Sequence, residues 1–157
     1  MRRHPVSVEA KIRAMGLELP SPAKPGGVYV PAVRSGNLVF TAGQIPTREG
    51  RLVAAGKVAT EVSLEQAQAA ARQACLNALA AVRAQVGSLD DLVRMVRVNV
   101  FVNSAAGFTD QAKVANGASE LLVELFGEAG RHTRCAIGAA ELPLNAPVEL
   151  DLIAETK

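Results

Sequence analysis

Residues 63–87, SLEQAQAAARQACLNALAAVRAQVG, and residues 93–102, VRMVRVNVFV, carry two different apolar periodicities almost back to back. In the first, Ser63 followed by Gln66 forms a capping box. Behind it Leu64, Ala67, Ala71, Ala74, Cys75, Ala78, Val82 and Val86 recur at spacings of three and four until Gly87, which predicts a long amphipathic helix. In the second, Arg94 interrupts the start and the period then becomes two. Val96, Val98, Val100 and Val102 share one face of a strand, and Met95, Arg97, Asn99 and Phe101 share the other. A strand with one apolar and one mixed face predicts a sheet that packs helices on one side and something wetter on the other.

Outward from this pair, the pattern is again of short strands and helices. Upstream, Val28–Val33 and Leu38–Thr41 read as strands separated by Arg34-Ser35-Gly36-Asn37, with a third run at Leu52-Val53 after Glu49-Gly50, an antiparallel meander. Before it, Ser7 caps a helix over 8–15 that Gly16 stops, and Pro20, Pro22, Pro25, Gly26 and Gly27 make an extended linker. Residues 1–27 therefore read as an appendage to a domain over 28–157. Downstream, a second helix falls between Thr109 and Phe126, with Leu121, Leu122, Leu125 and Phe126 as its stripe and Gly127 as its stop. Asn116-Gly117 is a costly pair inside it. Thr133–Ile137 and Val148–Ile153 close the chain as strands. The order predicts an α+β layer, one sheet with two helices on one face.

Composition narrows the function. A chain of 157 residues is one domain's worth, and 49% hydrophobic with 20% charged residues is globular. Aromatics are 3%, and 17 basic against 15 acidic side chains, scattered along the chain, leave a net charge of +2. Neither base-stacking platforms nor a concentrated basic face is present, so nucleic acid is not an expected partner. Charges at Glu9, Lys11 and Arg13 interrupt the apolar run that an export signal needs, and no apolar run approaches the roughly 20 residues of a membrane span. A cytoplasmic protein with no membrane partner is the expectation. Cys75 and Cys135 lie among small apolar neighbours and read as reduced core thiols.

Candidate chemistry is sparse. Gly26-Gly27 and Gly36 lack the spacing of phosphate cradles, and His4 and His132, with no acidic cluster at ligand spacing, do not make a metal motif. Arg134 shares a strand face with Ala136 and Gly138, a long cation beside two small residues. Its guanidinium either holds a ligand carboxylate or forms a surface salt bridge with a nearby acid. Glu149 alternates with Val148 and Leu150 and lies with Asp151 on the polar face of the last strand, where it is either solvated or, if it faces Arg134 from a neighbouring strand, a general base beside a bound anion.

Three segments carry a resemblance: residues 36–46, GNLVFTAGQIP; residues 100–102, VFV; and Arg134-Cys135-Ala136 through Leu142-Pro143 to Val148-Glu149. In order and spacing they resemble the RidA (YjgF) family of enamine/imine deaminases, also labelled the endoribonuclease L-PSP family, over roughly residues 28 to 155. The strings Val114-Ala115-Asn116-Gly117-Ala118-Ser119 and Gly130-Arg131-His132 are similar to a less characterised branch of it. The resemblance implies a chorismate-mutase-like fold, a homotrimer with three ligand clefts between subunits, and no cofactor. It further implies that Arg134 grips the carboxylate of a 2-imino acid, that Glu149 orients or activates water, and that Tyr29, Gly43 and Ala136 line the cleft. Ala42 stands where a serine is frequent in the family and Ala136 where many deaminases carry cysteine. The alternative functions are a non-catalytic binder of small carboxylates and a ribonuclease or translation inhibitor.

Overall fold

The computed structural model describes residues 6–157. The basic start Met1–Pro5, with His4, lies outside the described residues. Helices α1 (Val8–Ala14), α2 (Leu64–Val86) and α3 (Gln111–Phe126) accompany strands β1 (Ala32–Ser35), β2 (Leu38–Thr41), β3 (Thr47–Arg48), β4 (Arg51–Leu52), β5 (Leu92–Asn103), β6 (Thr133–Ala139) and β7 (Val148–Thr156). Five strands form one sheet in the order β1-β2-β7-β5-β6, and β3-β4 stand apart as a small hairpin. Only β5 and β6 run parallel, joined by a crossover through α3, as a parallel pair requires. The sheet is therefore mixed, with the two long helices on one face, the α+β arrangement expected.

The capping box forms in full: Ser63 Oγ accepts from the Gln66 amide while the Gln66 side chain accepts from the Ser63 amide. Beyond it α2 departs from a simple amphipathic helix, because every residue from Gln73 to Val82 is buried. The sheet covers one side, and α3 with β3 covers the rest. Alanines make that close wrapping possible, and burial pushes the Cys75 thiol up to about 12, which keeps it protonated. Two amides survive in this interior because they are bonded: Asn77 Nδ2 donates to the Ile45 and Thr47 carbonyls, and Gln73 Oε1 accepts from Arg48.

Several boundaries differ from the sequence reading. The first strand is Ala32–Ser35; Val28, Tyr29 and Val30 are exposed and lie outside any strand, ahead of Pro31, which has no amide to pair. The run at Leu52-Val53 contributes only Leu52, paired with Thr47 in the hairpin. In β5 a register shift between Met95 and Arg97 turns Met95 to the helix side with Val98, Val100 and Val102, while Val96 leaves the buried set. Cys135 is exposed on the open face, where Arg97 Nη2 donates to its Sγ at 3.2 Å, so it is not a core thiol. The front helix, capped by Ser7 as expected, is docked rather than detached. Val8 and Ile12 are buried in the main core, and Lys11 Nζ donates to the Leu125 carbonyl at the end of α3.

Candidate functional site

Arg134 sits on β6, the edge strand, level with Val98 of β5 and thus on the face covered by helices. Its guanidinium lies against α3. Nη1 donates to Asn116 Oδ1 at 2.9 Å and to Ser119 Oγ at 3.0 Å, and Nη2 donates to the Ala112 carbonyl at 3.3 Å. All three acceptors are neutral, and among the described residues no carboxylate lies within ion-pair distance of Arg134. Of the two readings of this cation, the surface salt bridge with a nearby acid is not found among the described residues. The side chain is half-buried, fixed on one edge, and retains its Nε–H and an Nη2 proton for another partner.

The helix under this arginine explains the costly Gly117. A Cβ there would collide with the Gln68 carbonyl of α2, so the missing side chain lets the two helices touch backbone to backbone. Asn116 and Ser119, flanking that contact, are carried on a helix seated directly against the α2 backbone. Small residues on β6 have the same use: a Cβ at Gly138 would be 3.1 Å from both Gln111 Nε2 and Ser104 Oγ. The space that Ala136 and Gly138 were expected to leave for a ligand is thus taken near Gly138 by the start of α3.

A second group of the expected residues gathers elsewhere. A cavity of about 460 Å³ is lined by Pro25, Gly26, Tyr29, Gly43, Ile45 and Leu144, among others. Tyr29 is 54% exposed, and its hydroxyl accepts from the Gly26 amide at 3.2 Å. Glu149 does not itself line this cavity, but its carboxylate lies so close over Gly43 that a Cβ at Gly43 would strike Oε1. Any larger residue at 43 would displace the Glu149 carboxylate from this position. Burial, and secondarily the charge of Asp151, raises the Glu149 pKa, so this carboxyl holds a proton more readily than a solvated one.

Arg134 and Glu149 do not meet within one chain. β5 separates their strands, and while Arg134 is level with Val98 on the helix face, Glu149 is level with Phe101 and Ile137 on the open face. Arg134 and Ala136 do not line the cavity by Tyr29. The conditional pairing on one face therefore fails inside the subunit, because a strand's side chains alternate and the two positions have opposite parity relative to β5. Sequence reasoning also missed Asn116 and Ser119 as hydrogen-bond partners of Arg134. The available signal was the helix-interior glycine, whose cost asked for a packing reason.

With this geometry in place, likeness to known proteins becomes specific. The family described as "YjgF/chorismate mutase-like, putative endoribonuclease" matches residues 9–156. Protein TCP17 of Trypanosoma cruzi is 42% identical over 149 residues, 94% of this chain and 93% of that protein. A 2-iminobutanoate/2-iminopropanoate deaminase of Dermatophagoides farinae is 31% identical over 137 residues, 87% of this chain and 92% of its own. Among solved structures, an endoribonuclease-labelled protein from Shewanella oneidensis superposes with a TM-score of 0.92 at 35% identity, covering 95% of this chain and 99% of that one. TdcF of E. coli, solved with bound serine, gives 0.64 at 27% identity, covering 87% and 94%. The match starting at residue 9 takes in the docked front helix, and the matches run nearly end to end on both sides. The chain belongs to the YjgF/chorismate-mutase-like family, the RidA family whose segments it resembles.

Proposed function

We propose that the chain hydrolyses reactive 2-imino and enamine acids, of the 2-aminoacrylate and 2-iminobutyrate type, to 2-keto acids and ammonia. The observation that carries this reading is the uncompensated guanidinium of Arg134, held on one edge by neutral oxygens with its remaining donors unspent. A guanidinium so fixed suits the carboxylate of a small acid, and the deaminase relative and the serine-bound TdcF act on or hold compounds of that size.

The chemistry asks for little beyond this. The imine carbon is already electrophilic, so binding the anion and aiming a water supplies the positional advantage. Glu149, with its raised pKa, takes a proton from the attacking water and gives it to the imine nitrogen, forming a carbinolamine; the same carboxylate then moves the hydroxyl proton to the amino group as the C–N bond breaks, leaving the keto acid and ammonia. No cofactor enters. Because Arg134 and Glu149 occupy opposite faces of one sheet, the reaction requires a cleft between two copies of the chain, which the homotrimer implied by the family resemblance would supply. Arg134 and Ala136 of one copy would face Tyr29, Gly43 and Glu149 of the next. That separation also favours a second reading, in which Arg134 alone binds a carboxylate metabolite without turnover.

A single assay divides the two. 2-Iminobutyrate generated in situ should release 2-ketobutyrate faster with the protein than without, and Arg134→Ala should remove the acceleration. Losing one half of a desolvated charge pair costs about 2 to 5 kcal/mol, on the order of 10² to 10³-fold. Binding of 2-ketobutyrate without acceleration would support the binder; an Arg134→Ala protein as active as wild type would end the deaminase reading.

A further inference from the structure

The strings around Asn116 and His132 converge on one side chain. His132 Nδ1 lies 2.7 Å from the Gly130 carbonyl, and its Nε2 lies 2.9 Å from Ser119 Oγ. A carbonyl can only accept, so Nδ1 carries the ring proton and Nε2 of the neutral ring is left as an acceptor. Burial lowers the His132 pKa against the opposing pull of the Gly130 carbonyl, the charge of Arg134 adds to the lowering, and the net direction favours that neutral form. Ser119 must then donate its hydroxyl proton to His132. With its proton turned away, the hydroxyl offers a lone pair to Arg134, whose Nη1 it meets at 3.0 Å. Every proton in the chain of contacts has one available direction.

Both ends of this chain rest on backbone packed too closely for any side chain. Gly117 lies between Asn116 and Ser119 and abuts the Gln68 carbonyl; a Cβ at Gly130 would collide with the Leu122 carbonyl. The first contact fixes the position of Ser119, and the second fixes the carbonyl that selects the His132 tautomer. We propose that Ser119 and His132 are positioning residues for Arg134, a proton-directed relay that locks the Nη1 side of the guanidinium and presents its Nε side as a planar fork. The ligand class that such a fork selects is a carboxylate approaching in the guanidinium plane. The selectivity rests on the carboxylate-binding reading above, whereas the locking of Arg134 does not.

The test uses the full chain with nitrogen-labelled arginine. In the wild type, rotation about the Arg134 Cζ–Nη1 bond should be slow enough to resolve its Nη1 protons by NMR. Ser119→Ala and His132→Phe should both collapse these signals and weaken 2-ketobutyrate binding about tenfold, the scale of one hydrogen bond to a charged group. His132→Gln, which can offer an amide oxygen to Ser119, should keep the slow rotation and most of the affinity. Thermal unfolding of each variant verifies that it is folded, and the Gln against Phe comparison holds even if Ser119→Ala is unstable. Unchanged rotation in folded His132→Phe overturns the relay, as does a Gln variant indistinguishable from Phe. If wild type fails to bind 2-ketobutyrate, the carboxylate reading falls, while the rotation measurement still decides the relay.

Discussion

Glu149 shows how one side chain can be held against its own preference. Its pKa is raised from 4.5 by burial first and by Asp151 second, so the folded state binds its proton more tightly than the unfolded chain does. The stabilisation from this group is fully present below the unfolded pKa and is lost as pH rises through the folded one. Wherever it is ionised, the carboxylate is thus a burden on the fold. Glu149→Gln should melt at a higher temperature than wild type at pH 7, the gap should close as pH falls below 4.5, and deaminase activity should be lost. A variant less stable than wild type at pH 7 would contradict the assigned direction. In activity, the rate should rise with pH through the raised pKa, since only the ionised form can take a proton from water.

At the scale of elements, α3 is the part whose placement decides the site. Propensity alone says that alanine at 117 should stabilise a helix by about 1 kcal/mol over glycine. The contact with Gln68 says the reverse, because a methyl group must push α3 off α2, and overpacking typically costs about 1 to 3 kcal/mol. Gly117→Ala should therefore lower the midpoint of urea unfolding. Carboxylate affinity should fall with it, since Asn116 and Ser119 move with the helix. An unfolding midpoint above wild type would mean that the helix pair relaxes without cost. The Ser63 capping box belongs to the same scale, but there the local rule and the tertiary structure agree.

At the scale of the molecule, the open face of the sheet bears Val33 at 51% exposure, Phe40 at 36% and Ile137 at 51%, beside the polar group Arg97, Asn99 and Asp151. Apolar side chains on an otherwise hydrogen-bonded sheet face suit burial against other copies, consistent with the homotrimer that would supply the proposed cleft. Sedimentation should give three times the 16.4 kDa chain mass. Ile137→Asp should shift the protein toward monomer and abolish turnover while leaving Arg134 and its relay in place. A wild-type monomer that still deaminates would refute the shared cleft. No described helix is long and apolar enough to cross a membrane.

The amino-acid sequence by itself determined what depends on near neighbours along the chain. The capped helix over 64–86, the alternation of β5 from Arg97 to Val102 and the succession of strands and helices that makes an α+β layer all follow from periodicity and caps, which act over a few residues. The order and spacing of three segments, 36–46, 100–102 and Arg134 to Glu149, also sufficed to point to the family. Tertiary structure alone decided that these two residues face opposite ways, that Cys135 is exposed, and that α1 joins the core. It also decided that a glycine unfavourable to α3 is what brings Asn116 and Ser119 to the arginine. Each of these depends on the register between strands or on close contact between helices, and such relations join residues too distant in sequence for any local pattern to encode.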